Sequence, residues 1–232
     1  DRYIKKIGTD DIHPLVIAYS LYKAAEHIGR RDFTISELYS KEFKGGPYKL
    51  FGISRDKLEK ILRGLQEMHL DRLERNALNL IIQRAGKKPV VSFSGGIDSL
   101  VALDLSAKVG VNIAVFCNTT IEFPETLEYI NKIADLYDIE LVILTPPKDF
   151  FTLAQQLLLP TRRLRWCCEV FKIAPLGRFA IENNITAYIT GLRRSEGPRR
   201  RHYSYVDHHP LIKTRRINPI LDWSRSDVLE YV

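Results

Sequence analysis

The sequence predicts an α/β protein, a doubly wound parallel sheet with a small, mainly helical segment ahead of it. Three observations predict this. After residue 89, short apolar runs alternate with stretches of helical periodicity, the order that gives a parallel sheet covered on both faces. A Gly95-Gly96 pair joins the first apolar run to the first of these helices. Before residue 86 the pattern is helical, and Gly86-Lys87-Lys88-Pro89 reads as a linker between two domains, 1–86 and 87–232.

In the first segment, Leu15, Ala18, Leu21, Tyr22, Ala25 and Ile28 recur at helical spacing after His13-Pro14. Thr34 and Glu37 have the spacing of a capping box on a short helix. A longer helix opens at Ser54, with Leu58, Ile61, Leu62, Leu65 and Met68 as its apolar face. Residues 73–83 bring back β-branched and apolar side chains and read as a β-ribbon. Helix, short helix, longer helix and ribbon is the order of a winged-helix module. Residues 1–86 are therefore expected to be winged-helix-like, with the helix from Ser54 placed to read DNA or tRNA. Docking or dimerisation fits the same pattern.

In the second segment, residues 90–93, 113–116, 140–144 and 187–190 read as strands. Residues 100–109, 124–137, 150–159 and 168–183 read as helices. Right-handed crossovers between such strands give a Rossmann-like sheet, whose ligands sit at the carboxyl ends of its strands.

The net charge of +7 is concentrated in arginine clusters. These are Arg162, Arg163 and Arg165, then Arg193, Arg194, Arg199, Arg200 and Arg201, then Lys213, Arg215 and Arg216. The planar guanidinium suits phosphate and sulfate oxygens, so the clusters point to an anionic substrate or nucleic acid. No apolar run approaches the roughly 20 residues of a membrane span. The first residues lack an apolar signal core, and 3 Cys do not suggest a disulfide framework, so a cytoplasmic location is expected. The sequence begins without Met and stops at Val232 inside a helical pattern, so it is expected to be a fragment.

The segment Ser92-Phe93-Ser94-Gly95-Gly96-Ile97-Asp98-Ser99 lies between a strand and a helix. Such a junction presents free backbone N–H groups to an anion. Gly95 and Gly96 permit positive φ and close approach, and Ser94 and Ser99 add hydroxyls. Asp98 would repel phosphate unless it caps the loop or helps to hold Mg2+. The Walker spacing is absent.

Ser-Gly-Gly-x-Asp-Ser after a hydrophobic strand resembles the PP-loop of the ATP pyrophosphatase superfamily. Four further stretches resemble one branch of it, the phosphoadenosine phosphosulfate (PAPS) reductase family. Asn118-Thr119-Thr120-Ile121-Glu122-Phe123-Pro124-Glu125 resembles that family's segment beside the nucleotide. Arg165-Trp166-Cys167-Cys168 through Lys172 to Pro175-Leu176 resembles its Cys-Cys to Lys-x-x-Pro-Leu segment. Gly191-Leu192-Arg193 with Glu196, Arg199 and Arg200 resembles its Gly-x-Arg-x-x-Glu-x-x-x-Arg anion clamp. Asn218-Pro219-Ile220-Leu221-Asp222-Trp223 resembles its closing Pro-x-x-Asp-Trp segment. The likeness runs from about Val90 to Val232 and does not cover the first segment.

The resemblance implies an adenine nucleotide (PAPS, APS or ATP) bound by Ser92, Ser94, Gly95, Gly96, Asp98, Ser99, Asn118, Thr119, Glu122 and Glu125. It implies a terminal anion held by Arg193, Glu196, Arg199 and Arg200. For Cys167 and Cys168 three readings stand: ligation of an iron–sulfur cluster with a later Cys pair, a redox or sulfur-carrying role, and packing. The leading functional expectation is reduction of adenylyl sulfate to sulfite, with a thiol reductant protein as partner and a homo-oligomer as assembly. The serine-ended loop keeps open an ATP pyrophosphatase that adenylates tRNA or DNA for sulfur insertion. A non-catalytic nucleic-acid-binding regulator is the reading of another class. The family's reductases use a nucleophilic Cys near the C-terminus, and the sequence as far as Val232 holds no such residue.

Overall fold

The computed structural model describes the backbone of residues 55–209, 211–212 and 214–232, with side chains for Glu67 and from His69 onward except Arg199. The expected helices of residues 1–54, and the winged-helix reading that rests on them, lie outside the described residues. The chain divides into two compact units, Asp1–Arg72 and Leu73–Val232.

The first described element is a single helix, α1, over Arg55–Arg84. The ribbon expected at residues 73–83 is therefore corrected to helix. The reason lies in spacing: Ala77, Ile81 and Ala85 fall four residues apart and are 1%, 1% and 5% exposed, one stripe sunk in the core. Two adjacent isoleucines do not outweigh that burial. The sheet-bearing unit begins at Leu73, ahead of the expected linker. Residues 86–88 are a tied turn. Gly86 takes φ 79°, and the Thr186 hydroxyl donates to the Ala85 carbonyl at 2.6 Å while accepting from Lys88 N–H at 3.1 Å.

The sheet follows with β1 at Pro89–Ser92, β2 at Ile113–Cys117, β3 at Glu140–Leu144 and β4 at Ala187–Ile189. Between them lie α2 at Ile97–Lys108, α3 at Pro124–Leu136, α4 at Phe150–Leu157, α5 at Trp166–Cys168 and α6 at Ala174–Asn183. A π-helical turn over Glu169–Ile173 joins α5 to α6. Two strands absent from the sequence reading complete the sheet, β5 at Val206–His208 and β6 at Arg215–Ile217, and α7 spans Arg225–Tyr231.

The strand order is β3-β2-β1-β4-β6-β5, parallel except for β5, which pairs antiparallel with β6 at the edge. The fold is thus α/β as expected, with a mostly parallel sheet. Successive residues of a strand serve opposite faces, as the pleat requires. Val91, Ala114, Phe116 and Ile189 join the core that holds Leu103, Leu105, Ile81 and Trp223. Val90, Val115 and Tyr188 join a second core with Ala180, Ile185 and Ile212. The order reverses at β1, which has β2 on one side and β4 on the other. That reversal opens a crevice at the carboxyl ends of β1 and β4, where a doubly wound sheet binds its ligands.

Candidate active site

A cleft of about 680 Å³ lies at this crevice. Its walls come from the β1–α2 loop, the exit of β4, the Arg165–Leu176 stretch and the Thr214–Arg216 strand. The volume falls within the range of small-molecule sites.

The β1–α2 loop is shaped by three hydrogen bonds on one hydroxyl. Ser99 Oγ donates to the Gly96 carbonyl at 2.7 Å, and accepts from Ser94 N–H and Ser94 Oγ, each at 3.2 Å. Gly95 carries the positive φ of 78°, which answers which glycine the turn demands. Gly96 instead has φ −79° and ψ 154°, so the positive φ that glycine permits there is not used. It is the N-cap of α2 and supplies no side-chain cap, so first-turn N–H groups remain open to the cleft. A Cβ at Gly96 would meet nothing nearer than Ser94 Oγ at 3.7 Å. The space above it is where an anion would lie.

The exit of β4 presses directly on this loop. A Cβ on Gly191 would stand 2.3 Å from the Asp98 carbonyl oxygen and 2.7 Å from Ser99 N, so only glycine fits. Two residues on, Arg193 is 5% exposed. Its Nε and Nη2 donate to the two Asp98 carboxylate oxygens at 3.0 and 3.1 Å, and its Nη1 donates to Ser195 Oγ at 3.0 Å. Arg193, which the sequence had suggested as a clamp on the terminal anion, is here bonded to the loop through Asp98. Breaking such a buried pair typically costs about 3–5 kcal/mol. Glu196 accepts from Arg193 N–H at 2.9 Å and pairs with Arg200. The side chain of Arg199 is outside the description.

Other cations face the cleft. Arg165, Lys172, Arg216 and Arg225 line it; the sequence had placed Arg165 and Arg216 in clusters that point to an anion, and had given Lys172 and Arg225 no site role. Arg216 is committed to Asp207 by hydrogen bonds of 2.8 and 2.9 Å. Arg165 and Lys172 have no carboxylate partner among the described residues. Their signal was the matched Arg-x-x-Cys to Lys-x-x-Pro-Leu stretch; Arg225 had none. Lys172 sits on the π-helical turn, a feature found frequently at functional sites.

The segment after β2 also lies at the carboxyl edge. Asn118 accepts from Thr120 N–H at 2.8 Å, and Thr119 donates to Glu122 at 2.6 Å, so these polar groups brace the loop. Glu125 is exposed in the first turn of α3. Thr126 and Tyr129 of α3 lie 3.7 and 3.8 Å from where a Gly95 Cβ would be, which brings the segment beside the phosphate loop. None of Asn118, Thr119, Glu122 or Glu125 lines the cleft itself.

Cys167 and Cys168 border the site without lining it. Arg165 donates to Cys168 Sγ at 3.2 Å. Burial, and then the neighbouring Cys168, push the Cys167 thiol up. Burial pushes the half-buried Cys117 thiol up to about 11 against the pull of Lys172, away from the thiolate form. With 3 Cys and only two of them adjacent here, these residues do not complete a four-thiolate cluster site. Among the described residues no group of three His, Cys, Asp or Glu is placed to hold a metal ion. The Asp98 carboxylate is a poor site for Mg2+, because Arg193 already neutralises it through both oxygens and Arg225 stands 3.7 Å from one of them.

A parallel-sheet crevice with a serine-and-glycine phosphate loop defines a nucleotide-binding domain of the PP-loop class. The comparisons agree. The sequence profile of the phosphoadenosine phosphosulfate reductase domain matches residues 88–232, and the chain belongs to that family, a family of enzymes. An adenosine 5′-phosphosulfate reductase of Geobacillus kaustophilus is 32% identical over 153 residues, 63% of each chain. An uncharacterized protein of Methanocaldococcus jannaschii is 32% identical over 185 residues, 76% of this chain and 44% of its own. The chain thus spans less than two thirds of either relative. A PAPS reductase structure from Candida auris shares the fold, with a TM-score of 0.53 and 20% identity over 71% of this chain and 84% of that one. No helix among the described residues is long and apolar enough to cross a membrane.

Proposed function

We propose that the domain binds an adenylyl sulfate and serves its reduction to sulfite in the whole protein. One observation carries the reading. The uncapped N-terminus of α2 opens into the same cleft as Arg165 and Lys172, two cations without a carboxylate partner among the described residues. Phosphate oxygens would meet the backbone N–H groups of the loop, and the sulfate would face the two cations. The adenosine would lie toward the Asn118–Glu125 segment. The adenosine 5′-phosphosulfate reductases among the relatives support the substrate class.

In this chemistry a thiolate attacks the sulfate sulfur. An S–S bond forms as the S–O bond to the phosphate breaks, and the electron pair leaves with the adenosine phosphate. A second thiol, from a thiol reductant, then attacks the sulfur of the first. Sulfite departs, a disulfide remains, and the thiol proton is released. The part of this chain is to hold the nucleotide and to offset the negative charge of the leaving phosphate. The attacking thiolate is not assigned to one of its residues.

Calorimetric titration with APS, PAPS, ATP and AMP tests the proposal. Tighter binding of APS or PAPS than of AMP supports it, and equal binding of all four sinks the sulfate subsite. The second reading, an ATP pyrophosphatase acting on tRNA or DNA, is favoured by the serine-ended loop. Release of pyrophosphate from ATP in the presence of tRNA would establish it in place of the first.

A further inference from the structure

The loop sequence invites a divalent cation at Asp98, yet the geometry there is closed to one. Mg2+ binds through free carboxylate oxygens and substrate phosphates, with waters completing its octahedron. Both Asp98 oxygens already accept from a cation: Arg193 Nε and Nη2 meet them in a fork at 3.0 and 3.1 Å. The two side chains are only 6% and 18% exposed, so the pair is shielded from water. A second guanidinium, Arg225, stands 3.7 Å from Asp98 Oδ1 and would repel a cation there. Glu196 is the other carboxylate on the cleft, and it is held by Arg193 N–H and by Arg200. The backbone at Gly191, against the Asp98 carbonyl, fixes the distance over which the fork must reach.

We propose that Arg193 is a positioning residue that stands at Asp98 in place of a divalent cation, so that the phosphate loop holds its nucleotide without Mg2+. The inference rests on the nucleotide reading above and adds the form of the ligand: the free anion of an adenine nucleotide. The guanidinium neutralises the Asp98 charge that would otherwise repel phosphate. It also ties the first turn of α2 to the exit of β4, which keeps the loop N–H groups aimed into the cleft. Unlike Mg2+, it cannot leave with product.

The test uses the full chain, with ATP and APS titrated calorimetrically in EDTA and then in MgCl2. The wild type binds both in EDTA, and Mg2+ leaves the affinity for ATP unchanged or weaker. Arg193→Met removes the fork while keeping an unbranched stem. Its affinity in EDTA falls at least tenfold and is largely restored by Mg2+ or Mn2+. The restored complex shows a protein-bound Mn2+ spectrum by electron paramagnetic resonance. Adding Asp98→Asn to that variant removes the Mn2+ signal. A residue that merely stabilised the fold would lower affinity equally in EDTA and in Mg2+, and that result overturns the proposal. Wild-type binding that requires Mg2+ overturns this inference and leaves the nucleotide site standing. No binding under either condition overturns the nucleotide site and this inference with it.

Discussion

The two ends of helix α2 carry similar chemistry and have opposite fates. At its N-terminus, Asp98 is gripped by Arg193, and the helix end stays open to a cleft lined with further cations. At its C-terminus, Lys108 donates to Glu74 at 2.7 Å and to Tyr231 at 2.9 Å, and pairs with Asp104 at 3.0 Å. Tyr231 donates to Asp104 at 2.7 Å, and Tyr137 reaches the same carboxylate at 3.1 Å. Burial alone would lower the Lys108 ammonium, but these hydrogen bonds outweigh it and hold the group above its usual range. Every charge at this end is spent on tying α1, α3 and α7 to α2. An ion pair alone therefore does not mark a site. What separates the ends is the uncapped N–H groups, the glycine turn, and Arg165 and Lys172, which have no carboxylate partner among the described residues; all of these lie at one end only.

Gly191→Ala should have the largest effect. Its Cβ would fall 2.3 Å from the Asp98 carbonyl oxygen, so backbone must move, and overpacking of this kind costs about 1–3 kcal/mol or more. Both thermal stability and nucleotide affinity should drop, as thermal unfolding and titration would show. Unaltered binding would mean that the loop does not depend on the β4 exit. Gly96→Val comes next and separates binding from folding. Its side chain enters open space at an ordinary φ, so stability should hold while nucleotide affinity falls at least tenfold, about 1.4 kcal/mol. Retained affinity would remove the loop from the site.

Lys172→Ala should weaken APS or PAPS by about 1.5–3 kcal/mol and barely change AMP, because only the sulfated ligands reach that wall. Equal losses for all ligands would make Lys172 a source of general field rather than a contact. Lys108→Met should have the smallest effect. Lys108 is 45% exposed, and ion pairs of that kind contribute about 0–1 kcal/mol. A slightly lower melting temperature with unchanged nucleotide affinity is expected; a loss of affinity would erase the distinction between the two ends.

The sheet-bearing fold was legible because its strands are apolar and its helices periodic. The run Glu140–Leu144 is strand β3 over its full length, and Ile113–Cys117 differs from expectation by one residue. Strands β5 and β6 escaped because Val206-Asp207-His208 and Arg215-Arg216-Ile217 are short and charged, with edge pairing rather than burial holding the first. Residues 73–83 misled because β-branched composition was weighed above the four-residue spacing of Ala77, Ile81 and Ala85. At the site, the loop was legible from Gly95-Gly96, since positive φ has few other solutions. The reach of Arg193 across 95 residues to Asp98 was not, because nothing local distinguishes a guanidinium that meets ligand from one that meets protein. Lys172 and Arg165 were in view as motif members, but that they meet no carboxylate among the described residues is a property of the folded chain.

The account stands most directly on where a nucleotide protects the backbone. Hydrogen exchange measured with and without saturating APS reads this amide by amide. Slowed exchange at residues 94–100 and 191–196, with no change at residues 104–108 and 229–231, is the predicted result. Protection centred on the Lys108 end, or none in the loop while APS is bound, would contradict it.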